Sequence, residues 1–139
     1  MNSLTRTRHD LENTTGIGLL GELAVRKELH RQGFNVYIPQ CDNDQVDMIV
    51  ENKHGAFHKV NVKTATKMTT STSIEVKLHK HRHSGRVDVL AIYYIPEDII
   101  AFIPYMDQST INLALRNAKN NQQDGRNWFW AYTEYPEFE

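Results

Sequence analysis

Residues 87–95 run Val-Asp-Val-Leu-Ala-Ile-Tyr-Tyr-Ile, apolar at both alternating registers except for Asp88. Successive side chains of a strand point to opposite faces, so a strand with no polar register has to be covered on both sides. A chain carrying such a strand is expected to build layers around a central sheet. Its 139 residues fit one domain, and a domain of that size buries about 68–70% of the surface that its unfolded chain exposes. Cys41 is the single cysteine, which excludes a disulfide scaffold. The longest strictly apolar stretch, Val89 to Pro96, is too short to span a bilayer. Met1 to Asn13 is polar and lacks an apolar signal-like core, so a reducing cytoplasm and no membrane partner are expected.

The remaining elements fall on either side of that strand. Thr14 and Thr15 offer N-cap oxygens ahead of a helical pattern from Gly18 or Leu19 to Gln32, and Gly33 stands at a natural C-cap. Asn35 to Ile38 is β-prone and stopped by Pro39, and Val46 to Glu51 reads as a strand. Lys53-His54-Gly55 is a turn joining it to Phe57–Thr64, which predicts a hairpin. Ser73 to Leu78 alternates Ile74, Val76 and Leu78 with polar residues, the mark of a half-buried strand. Pro96, Glu97 and Asp98 make a turn before a strand over Ile99–Ile103. Over residues 110–118 the apolar positions fit a strand and a helix equally. The aromatic tail, Trp128 to Phe138, is placed over the core or an interface.

Charge is distributed unevenly along the chain. The total is −1, yet residues 52–86 carry eight Lys and Arg against the single Glu75, a net of +7 between flanks of −3 and −5. Five histidines add to the same block. Any one lysine there is at home on a solvated face, but the density of the block predicts one electropositive surface for a polyanion.

Two carboxylates fall where apolar residues would be expected. On a helical wheel Leu19, Leu23, Val25 and Leu29 surround Glu22, and a carboxylate inside an apolar face costs desolvation unless a cation compensates it. Asp47 sits among Val46, Met48, Ile49 and Val50. The period of two puts Lys59, Asn61 and Lys63 on one face of the next strand, with Val60 and Val62 on the other. The hairpin then brings Asn61 and Lys63 beside Asp47. Two carboxylates, an amide oxygen and a lysine suit a hard divalent cation next to an anionic substrate.

This arrangement resembles the PD-(D/E)XK nuclease superfamily, in which a helix supplies Glu and a β-hairpin supplies Asp, Glu/Asp/Gln and Lys. Gly18-Leu19-Leu20-Gly21-Glu22, Asn35-Val36-Tyr37-Ile38-Pro39, Val46-Asp47-Met48-Ile49-Val50, Lys59-Val60-Asn61-Val62-Lys63-Thr64-Ala65 and Val87 to Tyr94 followed by Phe102-Ile103-Pro104 occur in the order of one branch. That branch holds the group I intron-associated homing endonucleases and their phage or bacterial relatives. Asn61 stands where the superfamily has an acid and this branch often Gln; its shorter side chain keeps an amide oxygen while losing a negative charge.

The resemblance implies an α/β fold with a PD-(D/E)XK-like core, a central mixed β-sheet and an N-terminal helix packed on it. Residues 1–139 would form one nuclease-like domain, with 1–14 an arm, 15–105 the core and 106–139 a C-terminal extension. It also implies a Mg²⁺-dependent DNA endonuclease, with Mn²⁺ as a substitute, that leaves a 5′-phosphate and a 3′-hydroxyl. Glu22, Asp47, the Asn61 amide oxygen and the Val62 carbonyl would hold the metal, and Lys63 would orient the attacking water. Double-stranded or branched DNA would be the partner. Phosphate contacts are assigned to Lys59, Thr66, Lys67, Lys77, His79, Lys80, His81, Arg82 and Arg86. Cutting both strands favours a homodimer or homotetramer. A Holliday-junction resolvase of the same superfamily and a non-catalytic DNA-binding module that lost its acid at Asn61 are the alternatives.

Other features carry less chemistry. The alternating His79, His81 and His83 are interleaved with Lys80 and Arg82, which oppose a metal ion and favour phosphate. Asp88 is expected to cap a strand, and Trp128, Trp130, Tyr132 and Tyr135 to pack in the core or a dimer contact. Asp42 and Asp44 beside Cys41 argue against a reactive thiolate.

Overall fold

The computed structural model describes residues 14–41, 45–78, 84–117 and 126–138. Helix α1 spans Thr14–Arg31. Strands β1 (Asn35–Tyr37), β2 (Met48–Glu51), β3 (Phe57–Ala65), β4 (Ser73–Lys77), β5 (Val89–Tyr94), β6 (Ile99–Pro104) and β7 (Thr110–Ala114) follow. Five of them form a sheet in the order β1-β2-β3-β5-β6, and β4 and β7 pair separately. The β3–β5 pairing is parallel and the other pairings are antiparallel, so the central sheet is mixed. Among the described residues no helix is long and apolar enough to cross a membrane.

Strand β5 is covered on both faces, as its composition requires. Val89 and Ala91 enter a core with Val25 and Leu29 of α1 and Met48, Val50 and Val60 of the hairpin. Leu90 and Ile92 enter a second core with Ile74 of β4, Ile111 and Leu113 of β7, and Phe129. The sheet is thus held between α1 on one face and the β4–β7 ribbon on the other. Tertiary pairing decides residues 110–114: Ile111 faces Val76 and Leu113 faces Ile74 across the ribbon, which selects the strand over the helix.

Helix α1 begins at Thr14, ahead of the predicted start at Gly18, so Thr14 and Thr15 lie within the helix. It also buries a different face from the one drawn on the wheel. Gly21, Val25 and Leu29 are buried at four-residue intervals, whereas Leu19 and Leu23 are 51% and 48% exposed. The cause is a close approach at Gly21. A Cβ built there would overlap Thr64 Oγ1 and lie 3.2 Å from Thr64 Cβ and 3.3 Å from Val62 Cγ1. The bare backbone lets the helix rest directly on β3 and turns Leu19 and Leu23 outward. Glu22 is half-buried at the side of this contact, not in the midst of a leucine face.

Both ends of the hairpin and helix are closed by specific bonds. The helix ends in a Schellman motif, with Gly33 at φ 93°, Gly33 N donating to His30 O and Phe34 N donating to Leu29 O, each at 3.0 Å. Gln32 Nε2 donates to Glu28 Oε2 (2.9 Å) and to the Thr133 carbonyl (3.0 Å), while Gln32 Oε1 accepts from Tyr135 N (2.9 Å). These bonds seat Tyr135 against Phe34 and Phe102, with ring centroids 4.8 and 5.5 Å away. The aromatic tail therefore covers the core. In the β2–β3 turn, Asn52 Oδ1 accepts from His54 N and Ala56 N at 2.9 Å each, and Gly55 adopts φ 81°.

The two helix glycines predict opposite responses to the same change. Gly21→Ala forces the helix off β3 and is expected to cost about 1–3 kcal/mol. Gly18, with open space around its would-be Cβ, is expected to gain about 1 kcal/mol as alanine from helix propensity. Urea unfolding of the two variants checks both signs.

Candidate functional site

Strand β2 leaves the sheet before β3 does. Its first paired residue, Met48, lies opposite Val60, while β3 continues to Ala65 along β5. Asp47 remains fastened at the point of divergence. Its main-chain N–H donates to Val60 O (2.9 Å), and its Oδ2 accepts from the Val62 N–H (2.7 Å). The carboxylate thus takes the place that a paired strand would fill. A strand residue's N–H and C=O point to the same edge, so the Val62 carbonyl faces the same gap.

Asn61 lies next to this point and is 6% exposed. Its Nδ2 donates to the Gln45 main-chain carbonyl (2.7 Å). That bond fixes the amide, because the opposite orientation would set two oxygens against each other. Among the described residues, Asn61 Oδ1 is buried with no hydrogen-bond partner. An unpaired buried acceptor costs about 1–3 kcal/mol, and a group held in that state asks for an explanation such as an ion.

Glu22 follows the glycine at which α1 rests on Val62 and Thr64 and is half-buried. Lys63 shares the opposite face of that strand with Lys59 and Asn61, since Val60 and Val62 pack toward α1. Lys63, Lys67 and Lys77 line one cavity of about 250 Å³ together with Thr69 and Glu75. Lys59 and Arg86 line another of about 510 Å³ at the β1–β2 end. Thr66 is exposed just past β3. His79, Lys80, His81 and Arg82 lie outside the described residues.

The candidate donors at the strand divergence are all oxygen: the Asp47 carboxylate, the Asn61 amide and the Val62 carbonyl. Glu22 is the carboxylate that the family resemblance would add from α1. Among the described residues no three His, Cys, Asp or Glu side chains converge as a metal-holding group. Hard oxygen donors of this kind fit Mg²⁺ or Mn²⁺ in place of a softer ion. The orphaned Oδ1 is the atom that the ion would satisfy.

The PD-(D/E)XK endonuclease family model matches residues 12–135. The chain belongs to this endonuclease family. Protein 5.3 of Escherichia phage T7 is 33% identical over 91 residues, which span 61% of this chain and 75% of that protein. A bacterial homing endonuclease, I-Ssp6803I, has the same fold, with a TM-score of 0.64 over 86% of each chain at 18% identity. The helix and β-hairpin that the resemblance calls for are both present, within a mixed sheet.

One structural role was not visible in the sequence of this PD-(D/E)XK protein, while Asp88 caps a strand as expected. Gln45 acts through its main-chain carbonyl, which no residue type signals. Asp88 serves β3, as Asp88 Oδ2 accepts from Lys59 N (2.8 Å) while Lys59 Nζ donates to Gly85 O (2.8 Å). Asn61→Asp, which restores the acid, replaces the donor facing Gln45 with an oxygen. Without added metal it is expected to lose about 1–3 kcal/mol at pH 8. The loss is expected to shrink at pH 5, because burial raises a carboxyl's pKa and the protonated form again donates. Urea melts at the two pH values measure this.

Proposed function

We propose that the protein is a Mg²⁺-dependent DNA endonuclease that hydrolyses phosphodiester bonds, acting like a homing endonuclease on double-stranded DNA. The observation that carries this reading is the buried, partnerless Asn61 Oδ1 beside Asp47 and Val62 in a PD-(D/E)XK chain. Asp47, Asn61 Oδ1 and the Val62 carbonyl hold the metal from the sheet, and Glu22 holds it from α1. When bound, Mg²⁺ supplies Lewis acidity at the phosphate and lowers the pKa of attacking water.

The chain's own groups do the rest. Lys63 places a cation against the phosphate oxygens and orients the water by hydrogen bonding. Lys67 and Lys77, around the same cavity, and Lys59 and Arg86, at the other end of the strand face, hold the flanking phosphates. Asn61 contributes no charge, so the site keeps two carboxylates against this basic surface. Each site cuts one strand, and a symmetric homo-oligomer supplies the second.

Lys63→Ala is the decisive variant. Nicking of a supercoiled plasmid in Mg²⁺ is expected to fall at least ~100-fold, while duplex affinity in EDTA changes by less than about threefold, the effect of one phosphate contact. Cutting by that variant at the wild-type rate removes Lys63 from the chemistry. Wild-type protein that binds duplex but cuts no DNA is a non-catalytic binding module, and one that cuts only a four-way junction is a resolvase.

A further inference from the structure

The face of the sheet that carries Asn61 and Lys63 continues past Lys59, and among the described residues no helix or strand packs over its Tyr37–Phe57 end. The β4–β7 ribbon packs on β5 and β6, whereas Tyr37 and Phe57 at the β1–β3 end are 50% and 59% exposed. Their rings meet edge to face, with centroids 5.9 Å apart, and the Tyr37 hydroxyl donates to Glu51 Oε1 (3.0 Å) at the margin of the patch. Beside the Tyr37 ring opens the cavity of about 510 Å³, walled by Ile38, Pro39 and Ile49 and edged by Lys59 and Arg86. Its volume is that of a small-ligand site.

Apolar walls, an exposed aromatic ring and two cations match the parts of a single nucleotide. A base stacks on the ring, and its phosphate meets the cations. Among the described residues, a symmetric interface would join two patches that each carry Lys59 and Arg86 against Glu51, a net positive charge on both sides. Charge therefore favours a polyanion. Lys59, which edges the cavity, lies two residues from Asn61, ~7 Å along the strand, which equals about two base steps of 3.4 Å.

We infer that this cavity is a subsite for an unpaired nucleotide, so that the preferred substrate is DNA with a bulged or single-stranded residue a few nucleotides from the cut. The inference rests on the nuclease reading for its placement relative to the cut. Lys59 and Arg86 grip the phosphate of the unpaired residue, and Tyr37, supported by Phe57, takes the base.

The test uses the full chain in EDTA with two labelled oligonucleotide duplexes, one fully matched and one carrying a single unpaired nucleotide. The bulged duplex is expected to bind about tenfold more tightly, within the range of base–aromatic stacking. A Tyr37→Ala/Phe57→Ala variant, altered only at exposed rings, is expected to lose that preference and to keep its affinity for the matched duplex. Cys41 is exposed and lines the same cavity, so its alkylation by N-ethylmaleimide reports occupancy directly. The bulged duplex is expected to slow alkylation and the matched duplex to leave it unchanged. Equal affinities, a preference that survives the double variant, or protection of Cys41 by raised protein concentration alone each overturn the inference. Plasmid cutting in Mg²⁺ separates the two readings. Cutting without a bulge preference overturns the subsite alone, and a bulge preference without cutting upholds the subsite while removing the nuclease.

Discussion

The hydrogen bond from the Val62 N–H to the Asp47 carboxylate, 2.7 Å long, is the interaction on which the rest of the site depends. Strand β3 outruns β2, and a main-chain donor at a sheet edge inside the fold has to be paired. Asp47 pairs it with a side chain where another strand residue would otherwise lie. The same bond ends β2 and sets a carboxylate at the gap that the Val62 carbonyl faces. Helix α1 reaches this stretch from one side because Gly21 has no side chain to hold it away from Thr64. Lys59, Asn61 and Lys63 face away on the other side. Asp47 and Val62 meet at the opening between the two strands, and Asn61 is tied to Gln45 beside them.

Electrostatics explains why an amide can stand at position 61. A carboxylate there would face the Gln45 carbonyl, while an amide offers that carbonyl a donor and keeps an oxygen for a ligand. The substitution also leaves fewer like charges to hold together when no cation is bound. The net charge of −1 conceals this division. A basic block of +7 contains β3 and its lysines, and the carboxylates of Glu22 and Asp47 belong to the acidic flank before it. Near-neutrality of the whole is the sum of two local requirements of opposite sign.

Much of the sheet was legible because its signals are local. The run from Val87 to Ile95 announces a strand covered on both faces, and Lys53-His54-Gly55 announces the hairpin turn. What was not legible is set by contacts distant in sequence. Residues 110–114 fit two periods, and only pairing with Ile74 and Val76 selects the strand. Leu19 and Leu23 belong to an apolar stripe in a helix drawn alone, yet the close contact at Gly21 turns them outward. Asp47 was readable as a carboxylate in apolar surroundings, between Val46 and Met48, whereas the apolar face drawn around Glu22 was not the one that the fold buries. The orientation of Asn61 was not readable, since a main-chain carbonyl at Gln45 sets it, and neither was the Tyr37–Phe57 pair, brought together across β1, β2 and β3.

The claim at the centre of this account is that Asp47, Asn61, the Val62 carbonyl and Glu22 form one divalent-cation site. Crystals of the full chain grown with Mn²⁺, with anomalous scattering used to locate the ion, address it directly. The account predicts an anomalous peak within bonding distance of Asp47, Asn61 Oδ1 and the Val62 carbonyl, with Glu22 bound directly or through water. A peak away from these atoms, or none at saturating Mn²⁺ with Asn61 Oδ1 still without a partner, would contradict it.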